Sequence, residues 1–314
     1  MKISLLCIMG CISLLLGFTG SEKIASKANK TTEKQTKNNS QSGFEYEVQA
    51  SKKDREIVER LLAEFLPQHN RLSKEALVIA VARKFIGTPY IAHTLDKNKD
   101  EKLVVNLREM DCTTYLENVI AICLCVNEQK GSFQDFVRNL CRVRYRNSVL
   151  SHTNRLHYYH WWATDNTQKG ILKEIVCNGF PFTATQQLKI NYMSENSQLY
   201  FMLKNSPDRI AKIKQLEDQT NGTIVRYIPK TILKNPISLK GVIQNGDIIA
   251  LVTNKKNLDT THLGFALWKE DQLYLLNASS LKKNGRQVVE PVETLYQYLM
   301  NRSYNTGIRI ARLQ

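Results

Sequence analysis

The hydrophobic period changes once along this chain of 314 residues, and that change limits the folds open to it. In the first two thirds, apolar residues recur at helical spacing. Ile57, Leu61, Leu62 and Phe65 share one face, as do Leu77, Val78, Val81, Ala82 and Phe85. Cys112, Leu116, Val119, Ile120 and Cys123 form a third such stripe, and Phe133, Phe136, Val137, Leu140 and Cys141 a fourth. Ser73 is placed to cap the second helix, Gly87 to end it, and Asp111 to cap the third. Residues 103–107 read as a short extended lead into that third helix, and 204–217 as a charged helix. Beyond this point the runs are short and strand-like, at 223–228, 247–252, 262–267, 273–276, 287–289 and 307–312. Asn221-Gly222, Asn245-Gly246 and Asn284-Gly285 supply turn signals between them. A helical front followed by an antiparallel meander is an α+β layout.

Charge and the N-terminus bound the surroundings. Lysine and arginine number 44 against 29 acidic residues, for a net charge of +15. Such a balance suits an anionic partner or a solvated basic surface. The densest basic patch is Arg142-Val143-Arg144-Tyr145-Arg146. Lys2 followed by an apolar run over 3–18 fits a secretory signal occupying residues 1–20, being too short for a comfortable membrane span. Cleavage near Thr19-Gly20-Ser21 is one route, and lipid attachment at Cys11 the other. Residues 21–43, rich in Lys, Thr, Asn and Ser, read as a disordered tether, leaving 44–314 as the folded domain. Export argues against nucleic acid as a partner. Setting Cys7 and Cys11 aside leaves Cys112, Cys123, Cys125, Cys141 and Cys177, an odd number, so at least one thiol is unpaired. No repeat and no phosphate-cradling glycine loop is present.

Cys112 has two readings. It opens a helix behind Asp111, Thr113 and Thr114, where unpaired N–H groups and the positive end of the dipole favour thiolate. It is equally suited to be a small apolar residue starting a core helix. A partner lies downstream. His262 stands at the mouth of one predicted strand, and the next, through Leu273 and Leu276, ends at Asn277. A short connection through Lys269, Glu270 and Asp271 makes these a hairpin, which brings Asn277 back beside His262. Asn277 would then fix the His262 tautomer while His262 takes the proton from Cys112. Cysteine on a helix start, histidine on a strand and an amide on its neighbour is a papain-like arrangement.

The ordered series Gly87-Thr88-Pro89-Tyr90, Asp111-Cys112-Thr113-Thr114, Gly246-Asp247-Ile248-Ile249, His262-Leu263-Gly264-Phe265 and Asn277-Ala278-Ser279-Ser280 resembles the NlpC-type cell-wall cysteine hydrolases. Within them it is most similar to an N-acetylmuramoyl-L-alanine amidase-like family formerly catalogued as a domain of unknown function. Arg144-Tyr145-Arg146, Arg155-Leu156-His157-Tyr158, Trp162 with Asp165-Asn166, and Asn191-Tyr192-Met193-Ser194 add to the match, which spans about residues 73–314. The resemblance implies a papain-like NlpC-type fold and hydrolysis of the bond joining N-acetylmuramic acid to L-alanine in small peptidoglycan fragments. It implies Cys112, His262 and Asn277 as catalytic residues, with no metal and no organic cofactor. It puts Tyr90 beside the nucleophile, though Tyr90 also reads as a packed aromatic. Asn277 departs from the family, where histidine is expected.

Arg155-Leu156-His157-Tyr158-Tyr159-His160-Trp161-Trp162 is the most unusual stretch. From composition it is either a packed aromatic cluster or a surface for stacking sugars and holding carboxylates. The family match favours Arg155, His157, Tyr158, Trp162 and Asp165 as substrate contacts, with Asp111 and Thr261 at the rim. Histidines 152, 157 and 160 match no standard zinc spacing. Glu117 is either at the surface or holding a neighbouring loop. The expected partner is peptidoglycan fragments, for a monomeric protein. Two alternatives stand beside the amidase: an endopeptidase cutting between D-glutamate and the diamino acid, and a non-catalytic wall-binding module using the Trp161-Trp162 region.

Overall fold

The structure is a computed structural model and describes residues 47–314. The signal segment at 1–20, the Cys11 anchor and the tether at 21–43 lie outside the described residues. Among the described residues no helix is long and apolar enough to cross a membrane.

The chain opens with β1 (Val48–Ala50) and α1 (Lys52–Phe65), followed by α2 (Lys74–Arg83), β2 (Leu103–Val105), α3 (Cys112–Asn127) and α4 (Phe133–Arg144). Each of these helices begins on a side-chain cap from Ser51, Ser73, Asp111 or Ser132. The middle of the chain supplies α5 (Tyr159–Gln168), β3 (Leu172–Ile175), β4 (Ala184–Gln187), α6 (Tyr192–Glu195), α7 (Pro207–Thr220) and β5 (Ile224–Pro229). Then come β6 (Ile248–Thr253), β7 (Thr260–Lys269), β8 (Gln272–Ala278), β9 (Val288–Val289), α8 (Leu295–Met300) and β10 (Asn305–Leu313). The mixed helix and antiparallel-sheet class expected from the two hydrophobic periods holds.

The strand order differs from a simple meander. It runs β4-β5-β10-β6-β7-β8-β9, so β4 to β5 and β6 to β9 follow in sequence and β10 breaks the order. The last strand inserts between β5 and β6, and its far half also pairs with β3. Gly307 makes this insertion sterically feasible. A Cβ there would lie 2.1 Å from the Ile228 carbonyl oxygen, so any other residue would push β5 off β10.

Alternate residues of the same strands feed two cores. Ile248, Ala250, Leu263, Phe265, Leu276 and Ala311 pack with the helices. Ile249, Leu251, Ala266, Leu275, Ile308 and Ile310 pack with α8 on the other side. A sheet covered on both faces needs strands that are apolar throughout, and β6 is buried along its whole length. Helix α3 is buried on nearly every side and lies across β7 and β8. Tyr115, one turn beyond Cys112, meets Phe265 edge-on at 5.6 Å, and Phe265 lies three residues beyond His262. This contact sets where the start of α3 falls relative to β7.

Candidate active site

The start of α3 is tightly built. Asp111 Oδ1 accepts from the Thr114 N–H at 2.8 Å, and Thr114 Oγ1 accepts from the Asp111 N–H at 2.9 Å, a reciprocal capping box. Cys112 is the first helical residue, with 0% exposure. Its immediate neighbours, Asp111 and Thr113, line a cleft. The other cysteines differ. Burial pushes the Cys123 thiol far up and the Cys125 thiol to about 12, so neither is ionised near neutral pH. Among the described residues all five cysteines are unbridged.

His262 and Asn277 come together through the β7–β8 hairpin, whose ladder runs from Lys269↔Gln272 to Phe265↔Leu276. Continuing it by one residue puts Gly264 opposite Asn277. Here too glycine is required: a Cβ would lie 2.8 Å from the Leu276 carbonyl and the Leu275 side chain. The Asn277 amide donates through Nδ2 to Leu275 O at 2.7 Å, which turns its oxygen toward His262. Oδ1 is an acceptor, so His262 Nε2, 2.9 Å away, carries the proton and donates to it. The neutral ring then presents a lone pair at Nδ1, which is buried and makes no hydrogen bond. Burial is the main reason His262 titrates low, at about 4. Its Asn277 bond opposes the shift, Arg302 adds to it, and the Asp111 charge opposes it. The Asp111 charge reaches this ring, and the Tyr115–Phe265 contact holds the start of α3 against β7. The start of β7 is held by Asp259, which accepts from the Thr260 and His160 N–H groups, both at 2.7 Å.

The cleft beside α3 is walled by His93, Asp96, Asp111, Thr113, Glu117 and Arg155, together with His157 and Tyr200. Arg155 donates to Asp96 at 2.7 Å and lies 3.5 Å from Glu101. The Asp96 carboxyl is partly buried, which raises its pKa, and the Arg155 charge together with hydrogen bonds from His93 and Arg155 more than offsets that, holding it well below the usual carboxylate range. The Arg155 guanidinium is therefore already balanced by two carboxylates. His157 donates from Nε2 to His152 O at 2.8 Å, and burial lowers its titration to about 3, so it too is neutral. A second, wider cleft is bordered by Asn277, Tyr298, Asn284 and Gln287.

The expected contact residues divide. Asp111, Arg155 and His157 line the cleft. Tyr90 is half-buried and bridges to Met110, two residues before Cys112. Four others are not among the lining residues. Tyr158 is buried, donating its hydroxyl to Glu217 at 2.6 Å and accepting from the Met193 N–H. Trp162 is 1% exposed and stacks on Tyr159. Asp165 accepts from the Asn147 N–H at 3.1 Å and pairs with Lys169. Thr261 accepts from Asn305 at 2.7 Å inside the sheet. These four serve the core: Tyr158 and Trp162 bury aromatic surface, and Asp165 and Thr261 satisfy interior donors.

The basic patch is also spent internally. Arg144 pairs with Glu117 at 2.6 Å, both almost wholly buried, which settles Glu117 as an interior anchor. Arg142 pairs with Glu128, and Arg146 lies over Trp161. Sequence reading missed Asp96, Thr94 and Tyr200 at the cleft and Tyr298 against His262. Asp96 sits in a polar loop with no motif. Tyr298 had a signal: Thr294 and Gln297 form a capping box ahead of its apolar run.

Comparison with known proteins gives the family. A family model described as N-acetylmuramoyl-L-alanine amidase-like matches residues 80–308. The crystal structure of an N-acetylmuramoyl-L-alanine amidase from Bacteroides uniformis ATCC 8492 superposes with a TM-score of 0.70 at 37% identity, covering 77% of this chain and 99% of that one. A Bacteroides fragilis structure provisionally named a xylanase gives 0.68 at 40% identity, covering 74% and 99%. A Legionella pneumophila protein at 22% identity, TM-score 0.62, covering 83% and 94%, shares the fold. No match is found among proteins of curated function. With a family model spanning most of its length, and with near-complete coverage of relatives above 30% identity, the chain belongs to the N-acetylmuramoyl-L-alanine amidase-like family.

Proposed function

We propose that the protein is an exported cysteine amidase of papain-like, NlpC type, cleaving the amide between the lactyl group of N-acetylmuramic acid and L-alanine in small peptidoglycan fragments. The observation that carries this reading is the His262–Asn277 pair. Asn277 fixes the proton on Nε2, and a buried, unbonded Nδ1 lone pair is left on β7, the strand against which the first turn of the Cys112 helix packs. In the proposed reaction Nδ1 takes the Cys112 thiol proton, and the sulfur attacks the lactyl carbonyl carbon. Charge on the carbonyl oxygen is met by N–H groups of the first α3 turn. The imidazolium returns its proton to the departing alanine nitrogen as the C–N bond breaks. Water, deprotonated by Nδ1, then hydrolyses the thioester. Because Cys112 has no exposed surface, substrate approaches through the cleft that Asp111 and Thr113 line. The apolar start at residues 1–20 supports export.

A glycosidase reading, suggested by the Bacteroides fragilis name, needs two carboxylates free to act as acid and base. At the cleft Asp96 is held by Arg155, Glu117 by Arg144, and Asp111 by its helix cap. The cleft chemistry favours the amidase. Mass spectrometry of defined muropeptides incubated with the protein tests it. Intact stem peptide released by the unmodified protein, and not by Cys112→Ala, is the expected result. A cut within the peptide would replace this substrate bond with that of an endopeptidase. Full activity in Cys112→Ala would sink the cysteine mechanism.

A further inference from the structure

His262 is held by more than Asn277. The Tyr298 ring of α8 lies nearly parallel to the imidazole, 14° between planes and 6.1 Å between centroids. On Tyr298 in turn sits the Arg302 guanidinium, 3.7 Å from the ring centroid, and Arg302 also donates to the Tyr298 carbonyl at 2.6 Å. All three side chains are buried. The series is therefore cation, aromatic ring and imidazole, anchored on a helix with its own reciprocal cap.

We propose that Tyr298 and Arg302 are positioning residues for His262, with the guanidinium clamping the tyrosine ring and the ring holding the imidazole in the plane where Nε2 meets Asn277. One hydrogen bond at Nε2 leaves the imidazole able to swing about its Cβ–Cγ bond. An aromatic surface parallel to it blocks that swing, and a guanidinium on the ring fixes the ring. The arrangement also bears on charge. The groups acting on His262 are Asp111 beside Cys112 on α3, Asn277 on β8, and Tyr298 with Arg302 from the α8 side. Arg302 is the cation among them, so it opposes protonation and keeps the ring in the form that accepts a proton.

The catalytic meaning of this stack rests on the proposed amidase reading, whereas the restraint on the ring does not. The test therefore has two readouts on the full chain. In histidine-labelled protein followed by NMR, Tyr298→Leu is expected to shift the His262 ring protons away from their ring-current positions, and Arg302→Gln to move the His262 titration midpoint upward. In muropeptide hydrolysis, Tyr298→Leu is expected to lower kcat about tenfold, with KM changed less than about twofold. The conservative Tyr298→Phe, which keeps the ring, should rescue both. Unchanged His262 signals and midpoint in folded Tyr298→Leu and Arg302→Gln would overturn the proposal even if no muropeptide is cleaved. If Tyr298→Leu fails to fold, Arg302→Gln decides: an unmoved midpoint rejects the clamp. An unmodified protein with no hydrolytic activity but the expected NMR changes would reject the amidase reading alone.

Discussion

The His262–Asn277 corner and the stretch from Arg155 to Asp165 are both buried, both rich in hydrogen-bonding groups, and different in the kind of group they leave unpaired. In the second region many polar groups are committed, and those left unpaired, the Tyr159 hydroxyl and the Trp162 indole N–H, are donors. Tyr158 is bonded to Glu217, Trp161 to Thr220, Asp165 to Asn147 and Lys169, and Arg155 to Asp96. In the first, the bonds are arranged so that one nitrogen, His262 Nδ1, has a lone pair and no partner. Satisfied polar groups stabilise and specify a core, whereas an unsatisfied one costs free energy. The contrast teaches that an unusual density of aromatic and histidine residues is weaker evidence of a site than a buried lone pair able to take up a proton.

Substitutions can break that contrast. Cys112→Ala should abolish hydrolysis by at least about a thousandfold while stability shifts by less than about 1 kcal/mol, measured by turnover and urea unfolding. Trp162→Ala should do the reverse, costing about 3–5 kcal/mol of stability through the cavity it leaves. If it instead raised KM in a protein of normal stability, the stretch would be a sugar platform after all. Asn277→Ala should lower kcat by about 10–100-fold with KM little changed, since it removes the tautomer control and leaves the nucleophile in place.

The pH dependence sharpens the same point. His262 must be neutral to accept a proton, so activity should fall on the acid side, with a limb centred near pH 4. Stability responds too. His157, His160 and His262 titrate at about 3, 4 and 4 in the folded protein, against about 6.5 in an unfolded chain. As pH drops below 6.5 the unfolded chain binds protons that the native state refuses. Stability from these groups is therefore complete above 6.5 and is lost as pH falls toward 4. A urea midpoint that did not fall between pH 7 and pH 4.5 would contradict their burial as neutral rings. The smallest expected effect is Tyr158→Phe, about 1–2 kcal/mol of stability from the lost Glu217 bond, with kinetics unchanged.

By itself the sequence determined the local elements and the pieces of the site. Caps at Ser73 and Asp111, the Asn-Gly turns and the two hydrophobic periods are short-range signals, and the helices and strands fall close to them. Hairpin arithmetic was enough to bring Asn277 to His262, since a tight turn and a period of two leave little freedom. Tertiary structure alone decided three things. It inserted β10 between β5 and β6, a pairing across many residues that no local pattern encodes. It assigned Tyr158, Trp162, Asp165 and Thr261 to the interior, because burial is a property of what packs against a side chain and not of the side chain. It also set the Tyr298–Arg302 stack on His262, joining two segments whose own sequences give no sign of each other.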